Sequence, residues 1–188
     1  MRKALFLTTI LLAISGLSIP SRAQQKMEAV KPADSPSKVV LGSWNDIGRK
    51  LIAMAEDFPE DKYDFKATPA ERTFAEQLLH AAGATYYFTY AANGEKKKVD
   101  ENPSRSIYKT KAEVVAYVKK SFADGAAAIK AKGDKGMNDL VVDPFAHQQV
   151  RISDWAYAFI EHSGEHYGQL VVYYRLSGLV PPESRPKK

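Results

Sequence analysis

The sequence predicts an all-α protein, a four-helix bundle, on the strength of three observations. Four segments of about five turns each carry apolar residues at three- and four-residue spacing, which is the period of one helical face. Polar stretches separate them, and no segment shows the turn-flanked alternation of a strand. With 188 residues, 45% of them hydrophobic and 26% charged, the chain suits one domain with a packed core.

Residues 1–23 are predicted to form a secretory signal peptide. Arg2 and Lys3 give a positive start, and an apolar run follows from residue 4 to residue 19. Ser21 and Ala23 are small residues at the positions that a signal peptidase reads, so we expect cleavage after Ala23. The protein would then be periplasmic or secreted, with no stable membrane association. The alternative is an uncleaved membrane anchor, although the run is shorter than the ~20 residues of a spanning helix.

Composition excludes several classes of protein. The chain has no cysteine, which excludes disulfides, thiolate metal ligands, cysteine nucleophiles and a lipidated cysteine after the signal peptide. Removal of the signal peptide takes away Arg2, Lys3 and Arg22, which lowers the formal charge by three, from +5 to +2. A chain so close to neutral lacks the basic footprint of a nucleic-acid-binding protein.

The first half of the mature chain predicts two helices. Residues 24–37 are polar, contain two prolines and predict a flexible leader, so the bundle domain is expected to span 38–184. Helix one is predicted over 38–57 and ends before Pro59. Helix two is predicted to begin at Pro69, with Thr68 as its N-cap, and to end at Asn93-Gly94.

The second half predicts two more helices. Helix three is expected over 110–131, where Thr110 and Glu113 have the spacing of a capping box and Gly125 is a weak point. Helix four is expected from Ser153 to residue 176, before Gly178. Two long polar connections flank helix three, so the topology stays open. The lysines at 96–98 fit a solvated loop.

A histidine pair marks helix four. His162 and His166 are four residues apart, so their side chains lie one above the other on a helix. Trp155, Phe159 and Leu170 share that face, so both imidazoles point into the bundle. Two buried, unpaired imidazoles would cost several kcal/mol in desolvation, and a shared cation answers that cost. The alternative is two partly exposed histidines satisfied by water or by neighbouring side chains.

His80 is the third candidate ligand. It lies midway along helix two among apolar residues. Small residues such as Gly83 follow one turn later, where they would let a neighbouring helix come close or leave space for an ion and a ligand. Three neutral nitrogen ligands with open positions form a catalytic type of metal site, and the alternative for a lone histidine there is a hydrogen-bonded core residue. His147 falls in a loop and is expected to be exposed. Since Ser163 follows His162, the pair is not the H-E-x-x-H motif of metalloproteases.

Helical spacing also suggests four residues that could orient the imidazoles or contact a substrate. The alternative for each of them is ordinary packing or a place on the surface. A general base is not evident from the sequence, and Glu76 or Glu165 would serve by position alone. The supporting residues lie one or two turns from a histidine, and they are Glu76, Tyr87, Gln169 and Tyr173.

The chain resembles the DinB/YfiT-like family of metalloenzymes, the DinB superfamily, over roughly residues 38–184. One part of the likeness is AMAEDFPEDKYDFKATPAERTFAEQLLHAAGATYYF, a helix, a P-E-D-K-Y-D-F loop and a helix that carries a histidine. A second is EHSGEHYGQLVVYYRLSGLVPPES, which resembles the family's closing helix with its H-x-x-x-H-x-x-Q core. The third is the order of one early histidine and a late pair.

The resemblance implies a four-helix bundle that holds a divalent metal, zinc or nickel, at positions that match His80, His162 and His166. Some members of the family transfer low-molecular-weight thiols, and family analogy also suggests a homodimer. An exported chain departs from those members, whose thiol cofactors are cytoplasmic, so thiol transfer is in doubt here.

Three functions are therefore open. The first is a metal-dependent hydrolase or transferase that acts on a small molecule. The second is a non-catalytic periplasmic bundle that binds a metal or a small ligand. The third is a structural bundle in which the histidines diverge in space and hold no metal.

Overall fold

A computed structural model describes residues 32–186 of the chain. Four helices make up most of these residues, which confirms the predicted all-α four-helix bundle. The predicted signal peptide and most of the predicted leader lie outside the described residues. The helices are α1 (Pro36–Asp57), α2 (Phe74–Asn93), α3 (Lys111–Gly136) and α4 (Ile152–Leu176); the strands are β1 (Leu140–Val142) and β2 (Gln149–Arg151), and short 3-10 turns span Glu60–Lys62 and Pro182–Ser184.

The order of the helices around the bundle settles the topology that the sequence left open. Helices α1 and α2 each pack against α3 on one side and against α4 on the other, and they barely touch each other. Helices α1 and α2 are therefore diagonal neighbours, as are α3 and α4. The connections from α1 to α2 and from α3 to α4 both cross the bundle, and this arrangement puts His80 of α2 opposite the histidine pair of α4.

The predicted start of helix two at Pro69 with Thr68 as N-cap is wrong, because α2 begins at Phe74. The Thr73 side chain accepts a hydrogen bond from the Glu76 backbone N–H at 3.1 Å, and the Glu76 carboxylate accepts one from the Thr73 N–H at 2.8 Å. This capping box satisfies two backbone donors at the helix start. Residues 68–72 form an exposed turn before it.

The other helix ends differ less from prediction. Helix α1 begins at Pro36, two residues early, because a proline suits the first helical position. The capping box predicted between Thr110 and Glu113 is confirmed. Helix α3 runs past the predicted residue 131 to Gly136, with a break at Gly133, where φ is 56° and ψ is −174°. Glycine adopts that conformation readily because it has no Cβ.

The core between α1 and α3 explains the glycine that looked like a weak point. Trp44 is fully buried and donates from its indole N–H to the backbone oxygen of Phe122 at 2.9 Å. A Cβ on Gly125 would lie 2.0 Å from the Trp44 ring. Gly125 therefore lets α3 approach the largest side chain of α1, and close packing outweighs its low helix propensity.

The expectation of a fold without strands is wrong for one short segment. Strands β1 and β2 form an antiparallel hairpin in which Val141 lies opposite Val150. Three residues on each strand are too few to show a recognisable alternation in the sequence. None of the helices within residues 32–186 is both long and apolar enough to cross a membrane.

Candidate metal centre

Three histidines converge in the core between α2 and α4. The ring centroids of His80 and His166 lie 4.8 Å apart, those of His80 and His162 lie 5.3 Å apart, and those of His162 and His166 lie 4.4 Å apart. One ring nitrogen from each histidine lies within 4.8 Å of the others. The structure therefore brings all three predicted residues to one place.

The pair on α4 meets through its outer ring nitrogens. The Nε2 atoms of His162 and His166 lie 3.2 Å apart, as expected for residues one turn apart whose rings lean together. Zn–N bonds of about 2.0 Å would place two tetrahedral ligand nitrogens roughly 3.3 Å apart. The spacing therefore fits two ligands of one ion.

His80 is held by the connection that follows α2. Its Nδ1 lies 2.8 Å from the backbone oxygen of Glu101 and 3.0 Å from the side-chain oxygen of Asn102. A carbonyl oxygen can only accept, so Nδ1 donates its proton and Nε2 keeps a lone pair. This is the orientation in which a histidine presents Nε2 to a metal.

Gly83 allows that connection to reach His80. A Cβ at this position would lie 2.7 Å from the backbone oxygen of Asp100 and 3.1 Å from Pro103. The sequence suggested that the small residues after His80 admit a neighbouring helix or an ion. They admit instead the loop that fixes the His80 ring.

On α4, Gln169 supports His166 in the same way. Its side-chain oxygen lies 3.2 Å from the Nδ1 of His166, one turn before it on α4. With Nδ1 as donor, the Nε2 of His166 is left with a lone pair, and it faces His162. Gln169 was predicted to orient an imidazole, and the structure places it in contact with one.

Burial keeps the three imidazoles neutral. Burial lowers the pKa of His80, and the positive charge of Arg72 lowers it further. Burial and His80 lower the pKa of His162, while burial and His162 lower the pKa of His166 to about 4. Neutral imidazoles have the lone pairs that metal ligands need, whereas imidazolium ions do not. The donor set therefore fits a divalent cation.

Arg72 joins the centre to two surface clefts. Its guanidinium donates to the Asn102 side-chain oxygen at 3.1 Å, which is the atom that faces His80. Its backbone oxygen accepts a hydrogen bond of 2.6 Å from the Tyr173 hydroxyl. Arg72 and Glu71 line both clefts, of about 640 and 460 Å³, and the larger one also reaches Gln169.

The other residues singled out in the sequence have different roles. The Glu76 carboxylate caps α2, and Glu165 is exposed. Tyr87 stacks on Phe159, with ring centroids 6.0 Å apart, and makes no hydrogen bond with the histidines. Burial raises the pKa of Tyr173 to about 12, so its hydroxyl stays protonated as a donor. His147 is exposed in the hairpin loop, as predicted.

Four contributors to the site escaped prediction. Asn102 lies in a connection that was predicted as a polar loop, whereas Arg72 and Gln77 fell inside the predicted helix two as ordinary polar residues. Glu101 contributes a backbone oxygen, which no side-chain pattern reveals. The Asn102-Pro103 pair was the one local signal, because this dipeptide marks an ordered turn.

Comparisons with known proteins agree with this architecture. A DinB-like protein from Bacillus cereus matches with a TM-score of 0.65 and 17% identity over 77% of this chain and 95% of that one. A DinB-like protein from Bacillus subtilis, YjoA, matches with a TM-score of 0.60 and 16% identity over 79% and 99%. At such identities the likeness shows the fold alone.

A third structure is YfiT from Bacillus subtilis, described as a probable metal-dependent hydrolase with an unusual four-helix bundle topology. It matches with a TM-score of 0.60 and 14% identity over 81% of this chain and 96% of that one. No curated protein sequence matches the chain significantly. The sequence profile of the DinB superfamily matches residues 45–170, which is more than half of the chain. The chain therefore belongs to the DinB superfamily.

Proposed function

We propose that this protein binds one divalent metal ion, zinc or nickel, through His80, His162 and His166 and is a metal-dependent hydrolase or transferase for a small molecule. The observation that carries the proposal is the orientation of the three imidazoles and the close spacing of their nitrogens. Two of the three Nδ1 atoms are engaged by oxygens, and the Nε2 atoms of the α4 pair lie 3.2 Å apart. A hydrogen-bonded core histidine would also engage its Nδ1, but it would not need to bring a ring nitrogen within 4.8 Å of those of two other histidines.

The three ligands would leave an open position, which is the mark of a catalytic rather than a structural site. A divalent ion held there supplies Lewis-acid polarisation of the substrate's reacting group. The protein's part is to keep the imidazoles neutral and oriented and to offer a cleft of about 640 Å³ that reaches Gln169, the residue in contact with His166. That volume is in the usual range for small-molecule sites.

A non-catalytic binding protein is the second candidate, and one observation favours it. In the described part of the chain, no carboxylate hydrogen-bonds to the three histidines, and Glu71 is the sole acidic residue that lines the larger cleft. Glu76 is used as a helix cap and Glu165 is exposed. A general base would have to be Glu71 or come from the substrate.

We also propose that the protein acts after export, because residues 1–23 have the pattern of a signal peptide. Its partner would be a small-molecule substrate or ligand rather than nucleic acid, and a homodimer stays a prediction from family analogy. Mass spectrometry of protein purified after expression of the full chain tests export. An N-terminus at Gln24 supports it, and an intact Met1 contradicts it.

Elemental analysis of the purified protein tests the metal centre. We expect about one equivalent of zinc or nickel in the native protein and a loss of most of it in His162→Asn. His147→Asn is the matched control, because His147 is exposed and has a φ of 53°, which asparagine tolerates. No metal in the native protein after reloading, or equal metal in both variants, would refute the proposal.

A further inference from the structure

The larger cleft, which borders the histidine centre at Gln169, is lined by the side-chain amide of a nearly buried glutamine, Gln77. Gln77 is 5% exposed and lines this cleft, and its side-chain amide makes no hydrogen bond with any residue of the described chain. This amide is not one of the solvent-inaccessible side-chain groups that lack a partner, so it is open to the cleft and available to a ligand there. A ligand that accepts hydrogen bonds would satisfy the Gln77 NH₂ group.

Arg72 lines the same cleft with an unpaired charge. Within residues 32–186 its guanidinium has no carboxylate within ion-pair distance, and its one side-chain hydrogen bond goes to Asn102. By contrast, Arg105, which lines the smaller cleft, is held by Asp64 at 3.0 Å. A guanidinium has five donors, so Arg72 has several left for a ligand.

A third donor borders the cleft at the metal centre. The side-chain oxygen of Gln169 faces His166, which leaves the Gln169 NH₂ group as a donor, and Gln169 lines the cleft together with Arg72 and Gln77. Two amides and one guanidinium therefore line one surface cleft, which borders the histidine centre through Gln169. Donors that converge in this way suit an acceptor with several oxygen atoms.

The charge balance around the centre favours a negative ligand. Three neutral imidazoles would leave the charge of a divalent ion uncompensated, and Arg72 adds a further positive charge that reaches all three histidines. Glu101 and Glu165 lie near enough to oppose it partly, and Glu71 lies in the cleft. None of these carboxylates contacts the guanidinium or the imidazoles as an ion pair within the described residues.

We propose that the larger cleft binds an oxyanion group, a carboxylate or a phosphate, between Arg72 and Gln77, so that the small molecule presented to the histidines is an anion. This inference rests on the proposed function for the role of the histidines. The anion site itself is made of Arg72, Gln77 and Gln169 and does not need a bound metal to exist. The two proposals can therefore fail separately.

The test is a fluorine NMR titration of three probes against protein stripped of metal by a chelator. The probes are 4-fluorobenzoate, 4-fluorophenyl phosphate and the neutral 4-fluorobenzamide. We expect at least one anion to bind about tenfold more tightly than the amide and to weaken as salt rises. The preference between the two anions identifies the natural oxyanion. Binding of the amide as tight as that of both anions, or no binding of either anion before and after metal loading, would overturn the proposal.

Variants assign the binding to the cleft. Arg72→Gln should lower the affinity for the preferred anion at least about tenfold. Gln77→Leu should lower that affinity less, because only a neutral donor is lost. Arg72→Lys keeps the charge and should retain part of the affinity. Arg175→Gln is the matched control, since Arg175 is exposed on α4 and lines neither cleft. Wild-type affinity in Arg72→Gln, with a native circular dichroism spectrum, would overturn the proposal.

One comparison separates this inference from the metal proposal. His162→Asn should still bind the anion in the metal-free state, and Arg72→Gln should still contain metal. Anion binding that depends on Arg72 in a protein that never takes up metal would leave the anion site standing and refute the metal centre. Metal uptake without an Arg72-dependent anion would do the reverse.

Discussion

The ring Nδ1 of His80 lies 2.8 Å from the backbone oxygen of Glu101, although 20 residues separate them in the chain. The contact depends on Gly83, over which the loop passes so closely that a Cβ would lie 2.7 Å from Asp100. A missing side chain on α2 thus sets the orientation of a candidate metal ligand. Such supporting contacts matter to metal sites nearly as much as the ligands themselves.

Replacing that glycine should damage the centre without touching a ligand. In Gly83→Ala the loop has to move away from α2, so we expect metal affinity to fall by about 10- to 100-fold. Competition with a chelator of known affinity measures the change. Gly42→Ala is the control, because a Cβ there meets nothing within 4 Å. Unchanged affinity in Gly83→Ala would show that the loop does not orient His80.

The histidines should make the metal-free protein sensitive to acid. The pKa of His166 is lowered from 6.5 to about 4 by burial, so below pH 6.5 the unfolded chain takes up a proton that the folded protein refuses. The stability is thus complete above pH 6.5 and is lost as the pH falls towards 4. The loss from this residue is on the order of 2–3 kcal/mol.

Urea unfolding at pH 7.5 and pH 4.5 measures this dependence. His166→Gln should lose less stability than the native protein between the two pH values, because glutamine does not titrate. Carboxylates whose pKa is lowered by ion pairs, such as Asp57 beside Arg185, affect both proteins equally and cancel in the difference. An identical loss in both proteins would contradict the assignment of a neutral, buried His166.

The packing of Trp44 against Gly125 should be intolerant of one added methyl group. In Gly125→Ala the new Cβ would lie 2.0 Å from the Trp44 ring, so the helices must separate or the indole must move. We expect a loss of about 1–3 kcal/mol in the free energy of unfolding. Gly168→Ala meets nothing within 4 Å and should be neutral or stabilising by up to about 1 kcal/mol. Equal effects of the two substitutions would contradict the packing.

The start of α2 can be tested with two threonines. Thr73→Ala removes the side chain that accepts from Glu76 and should cost about 1 kcal/mol of stability. Thr68→Ala changes an exposed residue outside the helix and should change stability by less than about 0.5 kcal/mol. Chemical denaturation of both variants compares them directly, and a larger loss in Thr68→Ala would favour the earlier start.

The error at this helix start shows what a sequence pattern leaves undecided. Two T-x-x-E patterns stand close together, one at Thr68 and one at Thr73, and both have the spacing of a capping box. The structure uses the second because it buries Phe74 completely and stacks it on Phe58, with ring centroids 3.8 Å apart. Burial of an aromatic side chain outweighs the helix preference of a proline.

The bundle and the inward-facing histidine pair of α4 were predictable because both depend on local periodicity, whereas His80 was matched to the same site by the family resemblance. The spacing of His162 and His166 puts both on the inner face of a helix whatever the rest of the chain does. The contact between Arg72 and Asn102 is different in kind. It arises where separate connections meet at one end of α2, and no repeat in the sequence records which connections will meet.

Because α1 and α2 are diagonal neighbours, α2 packs against α4, and the histidine centre joins two parts of the chain that are far apart in sequence. His80 belongs to the first half of the chain and the pair on α4 belongs to its last quarter, with all of α3 between them. An ion held by all three would cross-link distant parts of a chain that contains no cysteine, and closing so long a loop restricts the unfolded state. In a protein without disulfides, the same three side chains would then act as a reversible cross-link, and a chelator would remove it.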